Sequence, residues 1–278
     1  MKAEAITISP VVKWAGGKRQ LLERIEERLP PQFKNYYEPF VGGGAVLFGL
    51  QPKTATVNDI NKELINLYRV IKDSPEQFLE QLQALDAENS TKEFYYQQRE
   101  RYNCKLSANE LDTELAVLFV WLNKHCFNGL YRVNSRGLFN VPYNNKNGAT
   151  VSASPENVKA MSSYLQGVEI MQGDFEASVA TAAAGDFIFF DSPYAPINAT
   201  SFEDYTTEGF AEEEHRRLAK LFAELSNKGC YCMLTNHDVP LIRELYKDYN
   251  IEVVEVKRLI NRNANSRTGT EVIIRNYL

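Results

Sequence analysis

The sequence predicts an α/β protein whose sheet is interrupted by a mainly helical insertion carrying a β-hairpin. Three observations lead there. Short apolar runs alternate with longer amphipathic segments over most of the 278 residues. Between about Lys62 and Leu122 the alternation stops, and the pattern is helical with no strong strand candidate. Beyond it, Leu130–Val133 and Leu138–Val141 flank Asn134-Ser135-Arg136-Gly137, which reads as a hairpin.

In chain order, a glycine turn at Lys13–Lys18 precedes a first helix near Lys18, and strands follow at Tyr36–Glu38 and Thr54–Asn58. Helices are expected to start near Lys62, Pro75, Lys92 and Glu110. The hairpin comes next. Strands are then expected at Val168–Met171, Asp186–Phe190, Cys230–Leu234, Ile251–Val256 and Val272–Asn276, with helices starting near Glu212 and Val239. This order places one domain in residues 1–60 and 151–278 and an inserted domain in residues 61–150.

Composition sets the class. Hydrophobic residues make up 44%, charged residues 24%, and only 15 Gly and 11 Pro occur, which disfavours disordered and fibrous chains. The longest apolar run, Leu115–Leu122, is far shorter than the ~20 residues of a membrane span, so no membrane partner is expected. The N-terminus has no long apolar stretch, so no secretory signal is expected. The four cysteines form no C-x-x-C pair, which fits reduced thiols in a cytosol rather than a disulfide scaffold.

The net charge of −5 argues weakly against a polyanionic partner, but its distribution argues the other way. No acid occurs between Glu114 and Glu156, where Lys124, Arg132, Arg136 and Lys146 fall. Lys257, Arg258, Arg262, Arg267 and Arg275 face only Glu255 and Glu271 in the last stretch. An acidic body with two basic stretches suits a protein that touches a polyanion with part of its surface, solvated loops being the alternative.

Three motifs carry chemistry. Glu38-Pro39-Phe40-Val41-Gly42-Gly43-Gly44 follows a strand and opens a helix, and Asp59 ends the next strand, where it is placed to bond ribose hydroxyls. The third glycine of the dinucleotide fingerprint is missing, which disfavours NAD and an oxidoreductase; a tight turn without a ligand stays open. Lys13-Trp14-Ala15-Gly16-Gly17-Lys18 combines backbone amides with two lysines, an anion site unless Trp14 is plain core. Asp191-Ser192-Pro193-Tyr194 follows a buried strand, where Asp191 can accept from an amino group and Tyr194 can stack on a base. An ordinary turn capping the strand is the alternative. His125, His215 and His237 lack ligand spacing, so no metal is expected.

KWAGGK, EPFVGGGAV, NDIN, NGLYRVNSRGLFNVP, QGDF and the D-x-P-Y position, in this order, resemble the Dam-type DNA adenine-N6 methyltransferases, the α-class family acting on GATC. The resemblance runs from Lys13 to Tyr277. It implies a Rossmann-like S-adenosylmethionine-dependent methyltransferase sheet with an inserted target-recognition domain. The cofactor is then S-adenosylmethionine and the product S-adenosylhomocysteine. By resemblance, Trp14, Ala15, Gly16, Gly17 and Lys18 lie by the methionine carboxylate, and Glu38, Pro39, Phe40, Gly42 and Gly44 by the methionine part. Asp59 matches the ribose partner, and Asp174 and Phe175 the adenine-holding segment. Asp191, Ser192, Pro193 and Tyr194 form the catalytic turn that binds and stacks on a flipped adenine, Asp191 also bordering the cofactor.

The resemblance further implies that Lys13 and Arg132 contact guanines and that Phe127 and Leu130 wedge or stack at the flipping site. Asn128, Asn134, Arg136 and Pro142 share that surface, and Lys146 stands in for an arginine that relatives carry. The partner is double-stranded DNA, bound by a monomer in the cytoplasm of a bacterium or phage host, at the nucleoid. One departure stands out: the family pattern is Asp-Pro-Pro-Tyr, and Ser192 replaces its first proline. Ser192 keeps the carbonyl that serves as second acceptor but loses the fixed φ. An active enzyme and an impaired protein that still binds cofactor and DNA are therefore both carried forward.

Overall fold

The computed structural model describes residues 7–88, 90–145, 151–197, 210–257 and 268–278. Among these, seven strands occur: β1 (Tyr36–Glu38), β2 (Ala55–Asp59), β3 (Val168–Gln172), β4 (Phe187–Phe190), β5 (Tyr231–His237), β6 (Asn250–Lys257) and β7 (Thr268–Arg275). They form one sheet in the order β3-β2-β1-β4-β5-β7-β6. β1 pairs in parallel with β2 and β4, and β4 with β5, while β7 runs antiparallel to β5 and β6. The chain moves one way from β1 and the other way from β4, so the strand order reverses at their junction. In open α/β sheets ligands bind outside the carboxyl ends of strands at such a reversal.

The helices are α1 (Leu22–Glu26), α2 (Ala45–Leu50), α3 (Lys62–Asp73), α4 (Pro75–Asp86), α5 (Lys92–Ala108), α6 (Thr113–His125), α7 (Pro155–Leu165), α8 (Phe175–Ser178), α9 (Glu212–Asn227) and α10 (Pro240–Leu245). Two compact units result. The first comprises the described residues of Met1–Arg19, Val41–Gln51 and Asp59–Gly173; the second comprises those of Gln20–Phe40, Pro52–Asn58 and Asp174–Leu278.

The first unit is built around α6. Its residues Leu115–Asn123 are all buried, so it needs cover on every side, and α3, α4 and α5 supply it. Side-chain caps start the helices: Asn61 accepts from Leu64 N–H at 2.8 Å, Thr91 from Phe94 N–H at 3.1 Å and Asp112 from Leu115 N–H at 2.8 Å. The helix expected near Glu110 starts at Thr113 instead, because Asn109 ends α5 in the left-handed region (φ 54°) and Asp112 is the cap. The helix expected near Lys18 is split into a 3-10 turn, Lys18–Gln20, and the short α1. α7 is not among the helices expected from the sequence, although Ser154-Pro155 is a cap followed by a first-turn proline.

The hairpin is reduced to a turn with one bridge, Val133↔Phe139, rather than two strands. Two ladder bonds flank the bridge, Asn134 N–H to the Leu138 carbonyl at 2.9 Å and Asn140 N–H to the Arg132 carbonyl at 3.1 Å. On the turn side Asn134 Oδ1 takes the Leu138 N–H at 3.1 Å, which closes that end of the ladder.

In the second unit, β4 is buried at every position, and each ring it buries contributes about 1.5–3 kcal/mol. Ile188 and Phe190 share one core with Leu218, Phe222 and Leu225 of α9, Leu234 of β5 and Ile274 of β7. Two strands reach into stretches the sequence reads as polar turn or loop. β5 runs on to His237, and β7 begins at Thr268. The added residues pair with the far strand, Asn236 with Val272 and His237 with Glu271. Among the described residues, no helix is long and apolar enough to cross a membrane.

Candidate functional site

In the first unit, Asp59 closes the glycine loop onto the end of its own strand. Its Oδ2 accepts from Gly42 N–H at 3.0 Å and its Oδ1 from Asn61 N–H at 2.9 Å. Burial pushes its carboxyl above the usual carboxylate range, and the amides of Asn61, Gly42 and Ile60 oppose that. A carboxylate offers about four acceptor positions, so the chemistry leaves room for an outside hydroxyl. Gly42 (φ +47°) and Gly44 (φ +72°) are required by space as well as conformation. A Cβ would lie 2.9 Å from Trp14 Cδ1 at the first and 2.5 Å from Phe48 Cε2 at the second. Tyr68 O–H donates to the Gly42 carbonyl at 2.6 Å and pins the loop. A rigid glycine cradle ending on an acid fits a ribose-bearing cofactor.

The Lys13–Lys18 turn is more self-contained than the sequence suggests. Trp14 is half-buried and stacks on Tyr131, ring centroids 5.5 Å apart at 24°. Lys18 is buried, and its ammonium donates to the Gly16 carbonyl at 2.6 Å, while Gly17 N–H donates to the Trp14 carbonyl at 3.3 Å. Ala15, Gly16 and Gly17 remain at the surface.

The residues expected to read DNA are mostly at the surface of this unit. Lys13, Asn128, Arg132, Arg136 and Pro142 are exposed, Leu130 and Asn134 are half-buried, and Phe127 keeps 52% of its surface in solvent. Asn123 fixes Lys13 against this segment: its Oδ1 accepts from Lys13 N–H at 2.8 Å, and its Nδ2 donates to the carbonyls of Lys13 (3.0 Å) and Gly129 (2.9 Å). Asn140 Oδ1 accepts from Arg132 Nε at 2.8 Å and sets the guanidinium plane. Lys146, Arg258, Arg262 and Arg267 lie outside the described residues. Arg275 is turned to Glu252 at 3.7 Å, so it leaves the basic stretch inferred for the C-terminus.

In the second unit, the reversal of strand order gathers Glu38, Pro39, Phe40 and the Asp191 turn at the carboxyl ends of β1 and β4, since Tyr37 pairs with Ile188. Glu38 is buried and accepts from Tyr36 O–H at 2.8 Å. Asn58 Nδ2 donates to the Pro39 carbonyl at 3.0 Å. Phe40 packs on Phe175 with centroids 5.2 Å apart. The Arg217 guanidinium covers the other ring, 4.2 Å from the Phe175 centroid, and pairs with Asp174 and Glu176. Burial raises the Asp174 carboxyl, but hydrogen bonds from Arg217 and Glu176 N–H outweigh that and hold it below the usual range.

Asp191, half-buried, accepts from Thr235 O–H at 3.0 Å. Tyr194 O–H donates to Glu271 Oε2 at 2.8 Å, and the His237 ring stands edge-on to Tyr194 with centroids 4.8 Å apart. Asn236 Oδ1 accepts from Ala195 N–H at 2.9 Å, and His237 Nδ1 lies 2.7 Å from the Ala195 carbonyl. Ser192 is buried, and its Oγ has no partner among the described residues; Pro193 is exposed. An oriented carboxylate beside an oriented aromatic face can receive an amino group and the planar ring that bears it. Thr235, Asn236, His237 and Glu271 were missed in the sequence because no local motif marks them; only strand register brings them to the turn.

Residues 14–260 match the family described as D12 class N6 adenine-specific DNA methyltransferase. The chain is 42% identical over 281 residues to the type II methyltransferase M1.LlaDCHI of Lactococcus lactis subsp. cremoris, covering 100% of this chain and 98% of that protein. It is 40% identical over 290 residues to the type II methyltransferase M.MjaIII of Methanocaldococcus jannaschii, covering 97% and 99%. It is 32% identical over 268 residues to the DNA adenine methylase of Escherichia coli K12, covering 96% and 94%.

Proposed function

Because the chain belongs to the D12 class of N6 adenine-specific DNA methyltransferases, we propose that it methylates N6 of an adenine turned out of duplex DNA, within GATC, from S-adenosylmethionine. The observation that carries this reading is the turn after β4, where Thr235 orients the Asp191 carboxylate and Glu271 holds the Tyr194 ring. The cofactor supplies an electrophilic methyl group when bound.

The chain's residues do the rest. Asp191 and the Ser192 carbonyl accept the two N6–H bonds. That favours a more tetrahedral nitrogen and stabilises the positive charge it gains. Tyr194 stacks on the adenine and holds its nitrogen in line. Base extrusion costs a few kcal/mol, which Phe127 and Leu130 offset at the gap left behind. Asp59 and the Gly42–Gly44 cradle bind the ribose and methionine parts, and the Trp14–Lys18 turn takes the carboxylate through its exposed backbone. Asp174 and Phe175 hold the cofactor adenine. Lys13 and Arg132 read guanines in the major groove.

In this reading residues 1–60 and 151–278 carry cofactor and chemistry, and residues 61–150 carry target recognition. The protein works as a monomer on cytoplasmic DNA. Against the alternative of an enzyme impaired by Ser192 stand the side chains of β5 and β7 that bond the turn on both sides of residue 192.

Tritiated-methyl transfer to defined duplexes tests the proposal. Label is expected on adenine in GATC duplexes and at background where any base of the site is changed. Transfer to no duplex would defeat the functional reading, and equal transfer to altered sites would defeat the assignment of GATC.

A further inference from the structure

Side chains of two neighbouring strands reach both Asp191 and Tyr194 in the turn after β4. β4 and β5 are parallel with Phe190 opposite Leu234, so the next residues, Asp191 and Thr235, lie level. Thr235 is fully buried between the apolar residues of β5 and a polar neighbour, and its hydroxyl bonds Asp191 Oδ1 at 3.0 Å. A valine has nearly the same shape and needs no partner there, so a threonine at a dry strand position is explained by what its hydroxyl holds. On the next strand, Glu271 stands opposite His237 and takes the Tyr194 hydroxyl at 2.8 Å, while the His237 ring meets the edge of the same tyrosine.

We propose that Thr235 and Glu271 are positioning residues for methyl transfer: Thr235 sets the rotamer of Asp191 that receives the amine, and Glu271 sets the plane of Tyr194 on which the adenine stacks. Neither touches the reacting atoms. Each removes a rotational freedom from a side chain that must be aligned when the nitrogen meets the methyl group, so each acts on the rate rather than on binding. The inference rests on the functional reading above, because it assigns Asp191 and Tyr194 their roles. Burial pushes the Tyr194 phenol well above its usual value and the charges of Asp191 and Glu271 add to it, against a hydrogen bond with the Thr235 hydroxyl, so Tyr194 remains a donor to Glu271 throughout the neutral range and Thr235 lies between both catalytic side chains.

The test uses the full chain in single-turnover methyl transfer to a GATC duplex, with dissociation constants for S-adenosylmethionine and DNA measured beside it. Thr235→Val is expected to slow transfer about tenfold and to leave both dissociation constants within about twofold. Thr235→Ser, which restores the hydroxyl, is expected to recover a rate within about threefold of the parent. Glu271→Leu is expected to slow the same step, and adding Tyr194→Phe, which keeps the ring but removes the hydroxyl, is expected to change little more. Three outcomes overturn the inference with the parent active: a Thr235→Val protein as fast as the parent; valine and serine variants equally slow with weakened cofactor binding and a lowered melting temperature, which marks a structural role; or fully additive effects of Glu271→Leu and Tyr194→Phe. A parent that methylates no duplex overturns the functional reading, and this inference falls with it.

Discussion

Two acids end two strands of the same sheet, Asp59 on β2 and Asp191 just after β4, and a different kind of group reaches each. Asp59 is held by backbone amides close in the chain, those of Gly42, 17 residues back, and Asn61, 2 residues on. Asp191 accepts from a side chain far along the chain, the hydroxyl of Thr235, 44 residues on. A backbone partner survives almost any substitution that keeps the loop's shape, whereas a side-chain partner is lost to a single methyl-for-hydroxyl exchange. The difference matches the demand on each acid. A ribose partner has to be present, and modest freedom at it is tolerated. A group receiving an amine in an in-line transfer has to be aligned.

The largest expected effect breaks the comparison at Asp191. Its hydrogen bond strengthens as the nitrogen gains positive charge, so its loss falls on the rate. Asp191→Ala is expected to reduce single-turnover transfer by about 10²–10³-fold while calorimetry shows S-adenosylmethionine and DNA binding largely intact. Transfer at the parent rate would mean that another group orients the amine. A matching loss of cofactor affinity would mean that both acids serve the cofactor, and the contrast between them would vanish.

At Asp59 the loss should fall on affinity. Asp59→Ala is expected to weaken S-adenosylmethionine binding by about 1–3 kcal/mol, the worth of a hydrogen bond to a charged group. At saturating cofactor the transfer rate should stay close to the parent's. Unchanged affinity by calorimetry would leave Asp59 as a brace for the Gly42 loop and nothing more.

The same contrast explains what was legible in the sequence. Asp59 and its loop were, because strand, glycines, helix and acid follow one another at short range. The apolar strand into Asp191 was legible too. The residues that orient Asp191 and Tyr194 were not. Thr235-Asn236-His237 is polar and reads as the turn after an apolar run ending at Leu234, and Glu271 sits in a stretch, Thr268–Glu271, that reads as loop before Val272. Each becomes strand because it pairs with the other strand, His237 with Glu271 and Asn236 with Val272. Pairing across more than 30 residues leaves no local trace. The hairpin shows the converse: a local pattern predicts two strands, and the pairing is one bridge, closed on the turn side where the Asn134 side chain takes the Leu138 amide.

A smaller effect is expected at Ser192, where the family pattern has proline. If β5 and β7 already hold the turn, proline has little left to fix. Ser192→Pro is expected to raise the single-turnover rate by no more than about threefold, the size of a backbone-entropy gain of under 1 kcal/mol. Ser192→Ala is expected to keep the parent rate and to stabilise the fold slightly, since it removes a buried hydroxyl without a partner among the described residues. A tenfold gain from proline would show that serine loosens the turn and that Thr235 does not hold Asp191 firmly.

The smallest effect separates the strand-end acids from a third one by the sign of its pH dependence. Asp174 caps α8 and pairs with Arg217 at the surface, and its folded pKa lies below the ordinary value of 3.8. The folded state therefore binds this proton less readily than the unfolded chain. The pair's stabilisation is present above pH 3.8 and is lost as pH falls through the folded value. Both side chains are partly exposed, so it is worth at most about 1 kcal/mol. Asp59 works the other way. Its folded pKa lies above 3.8, so the parent gains stability as pH falls through that folded value. Asp174→Asn keeps the amide oxygen that caps Glu176 N–H and removes only the charge. Its unfolding free energy should trail the parent's at pH 7, and the gap should close on acidification, whereas the deficit of Asp59→Asn should widen over the same range. Parallel curves for the two variants would show that neither carboxylate is set by its surroundings in the way its hydrogen bonds imply.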